Sequence, residues 1–369
     1  MTTRRALLML GAASLVAACG HDKDVPAMMT PLPTSPTSPP PPAKLKSVAE
    51  WTSVFEQSWD YLDQNGTPLS RSTDSWDHYN LSYSVDSCVT MFRATDEGRY
   101  LDRALQFVEN VVASAVPSRS LPHSSFHDRY LGWPSSKEGE GGDEVPLYES
   151  YFWRYGTALL VAMHDGRVQS DRYRRLLEFA EVQVFEKWYS RDASRAIYRD
   201  RTHMASHWAL IALNLAQVTT DAARKARYLE VATTIDKRLH RQLRRNPVEP
   251  TAYFWSDIWG SAKRPGQDVS HGNGVMAYVV EARARGGAWT DGDMSAFCSL
   301  LTRVIWPGGT TYRGYVDGSG SDNGWLADGF VKLGRYDAAT QMRLDGYQVV
   351  NDQFAANMAL NARILRSGR

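Results

Sequence analysis

Thr95-Asp96-Glu97-Gly98-Arg99-Tyr100-Leu101-Asp102-Arg103-Ala104 reads as a tight turn running into the start of a helix. Thr220-Asp221, followed by Arg227-Tyr228-Leu229-Glu230-Val231-Ala232, repeats the pattern later in the chain. Each copy follows an amphipathic stretch, Val85–Phe92 in the first and Trp208–Ala216 in the second. The unit is a helix, a short Thr-Asp turn that caps the next helix, and a Tyr-Leu-x-x-Ala stripe packed inward. An amphipathic helical pair cannot bury its stripe alone, whereas about six hairpins closing on one another bury it and leave a central depression. An open solenoid is the competing arrangement, but its repeats should be more regular in length.

The rest of the chain from about Lys46 onward agrees. Tyr100, Leu101, Ala104, Leu105, Val108, Val111, Val112 and Ala115 follow helical spacing. Leu176, Leu177, Ala180, Val184 and Trp188 do the same, as do Ala226, Leu229, Ala232, Ile235 and Leu239. Further helices are predicted near 48–64, 79–94, 146–164, 204–218, 273–285, 291–305, 322–333, 335–348 and 352–366. No series of alternating strands competes, so the expected class is all-α.

The 369 residues carry 42 Lys+Arg against 41 Asp+Glu, a formal charge of +1 that argues against a nucleic-acid binder. The arginines 238, 241, 244 and 245 lie at a helix C-terminus, where cations complement the dipole. Three cysteines exclude a disulfide framework.

Arg4-Arg5 and the 13-residue apolar stretch Ala6–Ala18 have the form of a signal peptide, too short to span a bilayer. Leu15-Val16-Ala17-Ala18-Cys19 resembles a bacterial lipobox, which implies cleavage before Cys19 and lipidation of its thiol. Gly20 after that cysteine, rather than Asp, resembles lipoproteins sorted to the outer membrane. Residues 24–43 hold eight of the 17 prolines and read as a semi-rigid polyproline spacer. The expected organisation is a signal peptide over 1–18, a lipidated and Pro-rich linker over 19–45, and one helical domain over 46–369. Its expected location is the cell envelope, with the lipid anchor as its only membrane contact.

Four segments, Tyr83-Ser84-Val85-Asp86, Thr95-Asp96-x-x-Arg99-Tyr100-Leu101, His203-x-x-x-His207-Trp208-Ala209-Leu210 and Asp268-Val269-Ser270-His271-Gly272-Asn273, occur in this order. Together they resemble the (α/α) toroid of polysaccharide lyases and uronyl epimerases, particularly alginate and glucuronan lyases. The resemblance covers most of 46–369 at the level of fold and implies six or seven helical hairpins. It also implies β-elimination of an acidic, uronate-containing glycan, with a tyrosine as acid and His, Asn or Arg around the substrate carboxylate. No cofactor is implied.

Asp268–Asn273 sits where a helix is expected to begin, so its backbone amides and dipole favour an anion such as a uronate carboxylate. His271 is a candidate for proton transfer there and Asn273 for carboxylate binding; Asp268 or Ser270 can equally cap the helix. His203 and His207 share a helix face, but no zincin glutamate or third ligand accompanies them. His207 is therefore read as a base or carboxylate neutraliser rather than a metal ligand. Tyr253, Tyr315 and Arg313 lie on Gly-rich loops able to reach a cleft, as acid and carboxylate partner. Trp255, Trp259 and Trp325 are candidate sugar-stacking residues, with Glu149 and Asp268 as hydroxyl ligands. Glu149, Asp257 and Asp86 would instead serve a hydrolase if two of them faced each other across a cleft. A glycan-binding lipoprotein without catalysis is the third reading.

Overall fold

The computed structural model describes residues 44–168, 170–191 and 195–368. The expected signal peptide, Cys19 and the proline tract lie outside these residues. The described chain is all-α, with thirteen α-helices: α1 Val48–Glu56, α2 Trp59–Ser70, α3 Ser75–Thr95, α4 Gly98–Ala113, α5 Pro146–Asp165, α6 Asp171–Phe179, α7 Lys187–Ser190, α8 Thr202–Val218, α9 Ala222–Gln242, α10 Val269–Ala284, α11 Asp291–Ser299, α12 Ala338–Asp345 and α13 Asp352–Ser367. Two-residue strand pairs, Val116–Pro117 with Leu131–Gly132 and Arg244–Arg245 with Tyr253–Phe254, pin the long loops.

The helices form two layers. α3 packs on α5, α5 on α8, α8 on α10, α10 on the short 3-10 helix Phe330–Arg335, that helix on α13, and α13 back on α3. Outside this cycle, α4 covers α3, α9 covers α8, α12 covers Phe330–Arg335 and α1 covers α13. The two layers differ in pattern for a simple reason. Inner helices are enclosed on nearly all sides: every residue of α5 from Tyr148 to Thr157 is buried. Outer helices bury one stripe, as α4 does with Tyr100, Leu101, Ala104, Leu105, Phe107, Val108 and Val111.

Several elements depart from the sequence expectation. The helix expected over 48–64 is two, α1 and α2, broken at Gln57–Ser58. The 322–333 helix is reduced to Phe330–Arg335, because loop residues up to Gly329 make bonds to other elements instead. The 291–305 helix widens into a π-helical run at Leu300–Ile305. In the first Thr-Asp turn, Asp96 is left-handed with φ 62° and closes α3 rather than capping α4. In the second, Asp221 does cap α9, accepting from the Ala223 and Arg224 amides. The inward stripe of α9 runs through Tyr228, Val231, Ala232, Ile235 and Leu239, leaving Ala226 and Leu229 facing solvent.

At Gly66 in α2, an added Cβ would stand 2.6 Å from Cζ of Phe107 on α4. Helix propensity alone favours alanine by about 1 kcal/mol. The buried contact has no room to relax, so Gly66→Ala is expected to lower the melting temperature, read by circular dichroism.

Candidate functional site

The first two turns of the inner helices meet at one end of the molecule. Asp268, at the N-cap of α10, accepts from the His271 backbone amide at 2.9 Å, and its carboxylate holds His271 Nδ1 at 2.8 Å. Burial raises the Asp268 carboxyl, but its bond to His271 and that ring's charge outweigh this and hold it below the usual carboxylate range. The same bond raises His271 against the opposing effect of burial. The His271 side chain is 56% exposed, so this hydrogen-bonded pair faces solvent.

Against it lies the ring of His203, its centroid 4.4 Å away. Burial, then the His271 charge, push His203 down to about 3, so it is neutral. Its buried Nδ1 has no partner among the described residues. One turn further along α8, His207 is held well below its ordinary value by burial and then by the Arg154 charge. Its Nδ1 lies 3.4 Å from Ser150 Oγ, and its ring stands edge-on to Tyr151 at 5.1 Å.

Arg154 completes the floor. Its Nη2 donates to Asp328 Oδ2 at 2.6 Å, and its Nη1, also buried, has no partner among the described residues. Burial works against its charge, but Asp328 more than compensates and keeps it protonated. Tyr151 donates to Asp328 at 2.9 Å, and its hydroxyl lies 3.1 Å from that of Tyr83. Around this floor runs an aromatic platform. Trp76 stacks on Tyr79 at 4.9 Å and Tyr79 on Tyr151 at 4.0 Å, while Tyr83 meets Trp325 edge-on at 5.5 Å. Trp76, Tyr79, Tyr83 and Trp325 are each half-buried; Tyr79 is sandwiched between Trp76 and Tyr151, and Lys137 Nζ lies 3.4 Å from the Trp76 ring centroid. Tyr315 pairs with Asp268 in an antiparallel bridge, which brings the Tyr312–Gly324 loop to the histidines. Arg313 enters on the same loop, its amide bonded to Ile305 O at 2.9 Å.

His271, Asp268, His207, Tyr315 and Trp325 are thus gathered at this end, while other candidates are spent elsewhere. Asn273 is fully buried: its Nδ2 donates to Trp325 O at 2.8 Å, and its Oδ1 accepts from the Gly329 and Phe330 amides at 2.9 and 3.1 Å. With both ends of its amide engaged by backbone, Asn273 organises the loop instead of meeting a substrate carboxylate. Glu149 is sealed against Lys187 Nζ at 2.8 Å and Trp188 Nε1 at 2.8 Å, in a cluster that anchors the loop before α5. Tyr253 donates to Asp293 at 2.6 Å and packs on Phe297 of α11, away from the histidines; burial and that bond raise it to about 12. Trp255 is entirely buried against Phe297 and offers no stacking face. Trp259 is half-buried, its Nε1 bonded to Arg199 O at 2.7 Å beside the start of α8. Of the hydrolase candidates, Asp86 is buried on Lys332, Asp257 pairs with Arg201 and Glu149 with Lys187, so each is held by its own cation.

Sequence reading passed over Tyr79, Tyr151, Arg154 and Asp328 as site residues. A signal was present: Trp76, Tyr79 and Tyr83 lie on one face of α3, and Arg154 interrupts an otherwise apolar and aromatic run in α5. Asp328 had none, since its role comes from elements far away in the chain. Comparison with protein-family models, curated proteins and solved structures finds no match. Among the described residues no group of three or more His, Cys, Asp or Glu could hold a metal ion.

Two outcomes follow. Asn273→Ala leaves the buried Gly329 and Phe330 amides without acceptors, at roughly 1–3 kcal/mol for each unsatisfied group; chemical denaturation should show a loss of at least that order. His203 at about 3 and His78 at about 4, both depressed chiefly by burial, lie below an ordinary 6.5. Each is neutral when folded and takes up a proton more readily when unfolded. Their stabilising contribution is complete above pH 6.5 and is lost as pH falls toward those values. The raised, half-exposed His271 acts weakly in the opposite sense. Unfolding free energy should therefore decline below pH 6.5, and His78→Gln should flatten that decline.

Proposed function

We propose that the closed cycle of paired helices is an (α/α)6 toroid, and that the protein is a lipid-anchored envelope polysaccharide lyase acting on an acidic, uronate-containing glycan. One observation carries this reading. Arg154 Nη1, its guanidinium 3.9 Å from the Tyr151 ring, and His203 Nδ1, in the first turn of α8 where the helix dipole favours an anion, have no partner among the described residues. Aromatic faces suit the C–H patches of sugar rings, and the cationic floor suits a carboxylate.

In this reading Arg154 stabilises negative charge on the uronate carboxylate as it develops. His271, exposed and with its proton affinity raised by Asp268, takes the C5 proton in its neutral form. The electron pair of that C–H bond forms the C4–C5 double bond, the C4–O4 bond breaks, and a phenol protonates the departing oxygen. Tyr83 and Tyr315 are the phenols placed for this step, with Tyr253 withdrawn by its bond to Asp293. Burial holds Tyr83 well above its ordinary value, which keeps its proton available for donation. Trp325, which meets Tyr83 only edge-on, would bear a sugar ring.

The aromatic platform alone also suits a glycan-binding lipoprotein, so the test separates the two. The protein is incubated with alginate, glucuronan, hyaluronan and pectate, and the ultraviolet absorbance of the unsaturated uronate is followed. The expected result is a rise on one of these polymers that His271→Ala abolishes while leaving the melting curve nearly intact. Flat traces with new reducing ends would move the assignment to a hydrolase; saturable binding with unchanged polymer length would move it to a binding protein.

A further inference from the structure

At the other end of the inner cycle the interior is ionic. A cavity of about 20 Å³ is lined by Asp86, Thr90 and Arg93 of α3, Tyr155 of α5, Asn214 of α8, Glu281 and Arg285 of α10, and Lys332. This is room for about one water-sized occupant. Glu281 is shared by three guanidiniums, those of Arg93 at 3.1 Å, Arg335 at 3.1 Å and Arg285 at 3.6 Å. Lys332 Nζ lies 3.3 Å from Asp86 and 3.0 Å from Asn357 Oδ1. Four cations therefore share two carboxylates, with Lys332 and Arg335 buried and Arg93 and Arg285 partly exposed at the rim.

Two guanidinium nitrogens in this group, Arg285 Nη1 and Arg335 Nη2, are buried without a partner. Burial lowers both arginines and Lys332 from their ordinary values, the sense expected of cations whose counter-charge is incomplete. The C-terminal carbonyls of α3 and α10 offset part of the excess, equivalent to about half a charge per helix end. Asp165, exposed at the end of α5, is screened by solvent. An uncompensated buried cation is costly, and the cheapest remedy in a space of this size is a monatomic anion.

We propose that this axial cavity binds a single halide ion, held by the unpaired N–H group of Arg285, which lines it together with Lys332, as a structural counter-ion of the inner helices. The Asn214 Oδ1 acceptor has no partner among the described residues and marks the side of the cavity where water, rather than the anion, sits. The site is independent of the proposed lyase chemistry.

The test uses bromide and chloride. Crystals soaked in bromide should show an anomalous peak in the cavity within hydrogen-bond reach of Arg285. The melting temperature should rise saturably in chloride or bromide relative to gluconate at equal ionic strength. Arg285→Met should remove that dependence, and the exposed Arg303→Met should retain it. Should Arg285→Met fail to fold, the bromide map of the unaltered protein decides. Bromide only at surface positions, or equal melting in chloride and gluconate, would overturn the proposal and leave water as the occupant.

Discussion

The inner cycle depends on how its shortest member is held. Five of its six elements are full α-helices with apolar flanks, but the sixth, Phe330–Arg335, is about two turns of 3-10 helix. Such a segment cannot close a ring by hydrophobic contact alone, since its own hydrogen bonds are poor and its surface is small. Its neighbours grip it with polar side chains instead. Asn273 of α10 takes the Gly329 and Phe330 amides, Asp86 of α3 and Asn357 of α13 take Lys332, and Glu281 takes Arg335. Just ahead of it, Asp328 receives Tyr151, Arg154 and Tyr155 from α5 and Gln353 from α13. Buried polar bonds are directional, and an unmet partner is expensive, so this set fixes one register where apolar packing would tolerate several.

The same bonds shape the two ends of the interior. Toward the helix N-termini, Asp328 satisfies one side of the Arg154 guanidinium and leaves the other open beneath the aromatic platform. Toward the C-termini, Glu281 is divided among three arginines and leaves cation in excess. Structure and candidate chemistry are thus coupled, because the carboxylate that helps close the cycle also determines which donor atoms remain free at the site.

The legible parts of the fold were those with a one-sided pattern. The outer helix α4 shows its buried stripe in sequence because its other face meets water. The inner helices are apolar almost all round, so their presence could be read but their orientation could not. Histidine pairs and the Asp268–His271 spacing were visible because partners three or four residues apart on a helix are neighbours by geometry. Arg154 with Asp328 was not, since 174 positions separate them. Asn273 shows the opposite failure. Its place in a helix start drew attention as a ligand, and only the approach of Gly329 and Phe330 reveals that its amide is already engaged.

By itself, the sequence determined an all-helical chain of amphipathic units joined by aromatic-rich loops, because helical periodicity and turn chemistry are local properties. The tertiary structure decided which loop residues face the cleft, which are sealed in the core, and where charge is left unbalanced. Those outcomes depend on contacts between elements far apart in the chain, and burial in a low-dielectric interior then separates otherwise similar side chains. Asp268 raises the proton affinity of the exposed His271, while His203, stacked upon it, is neutral.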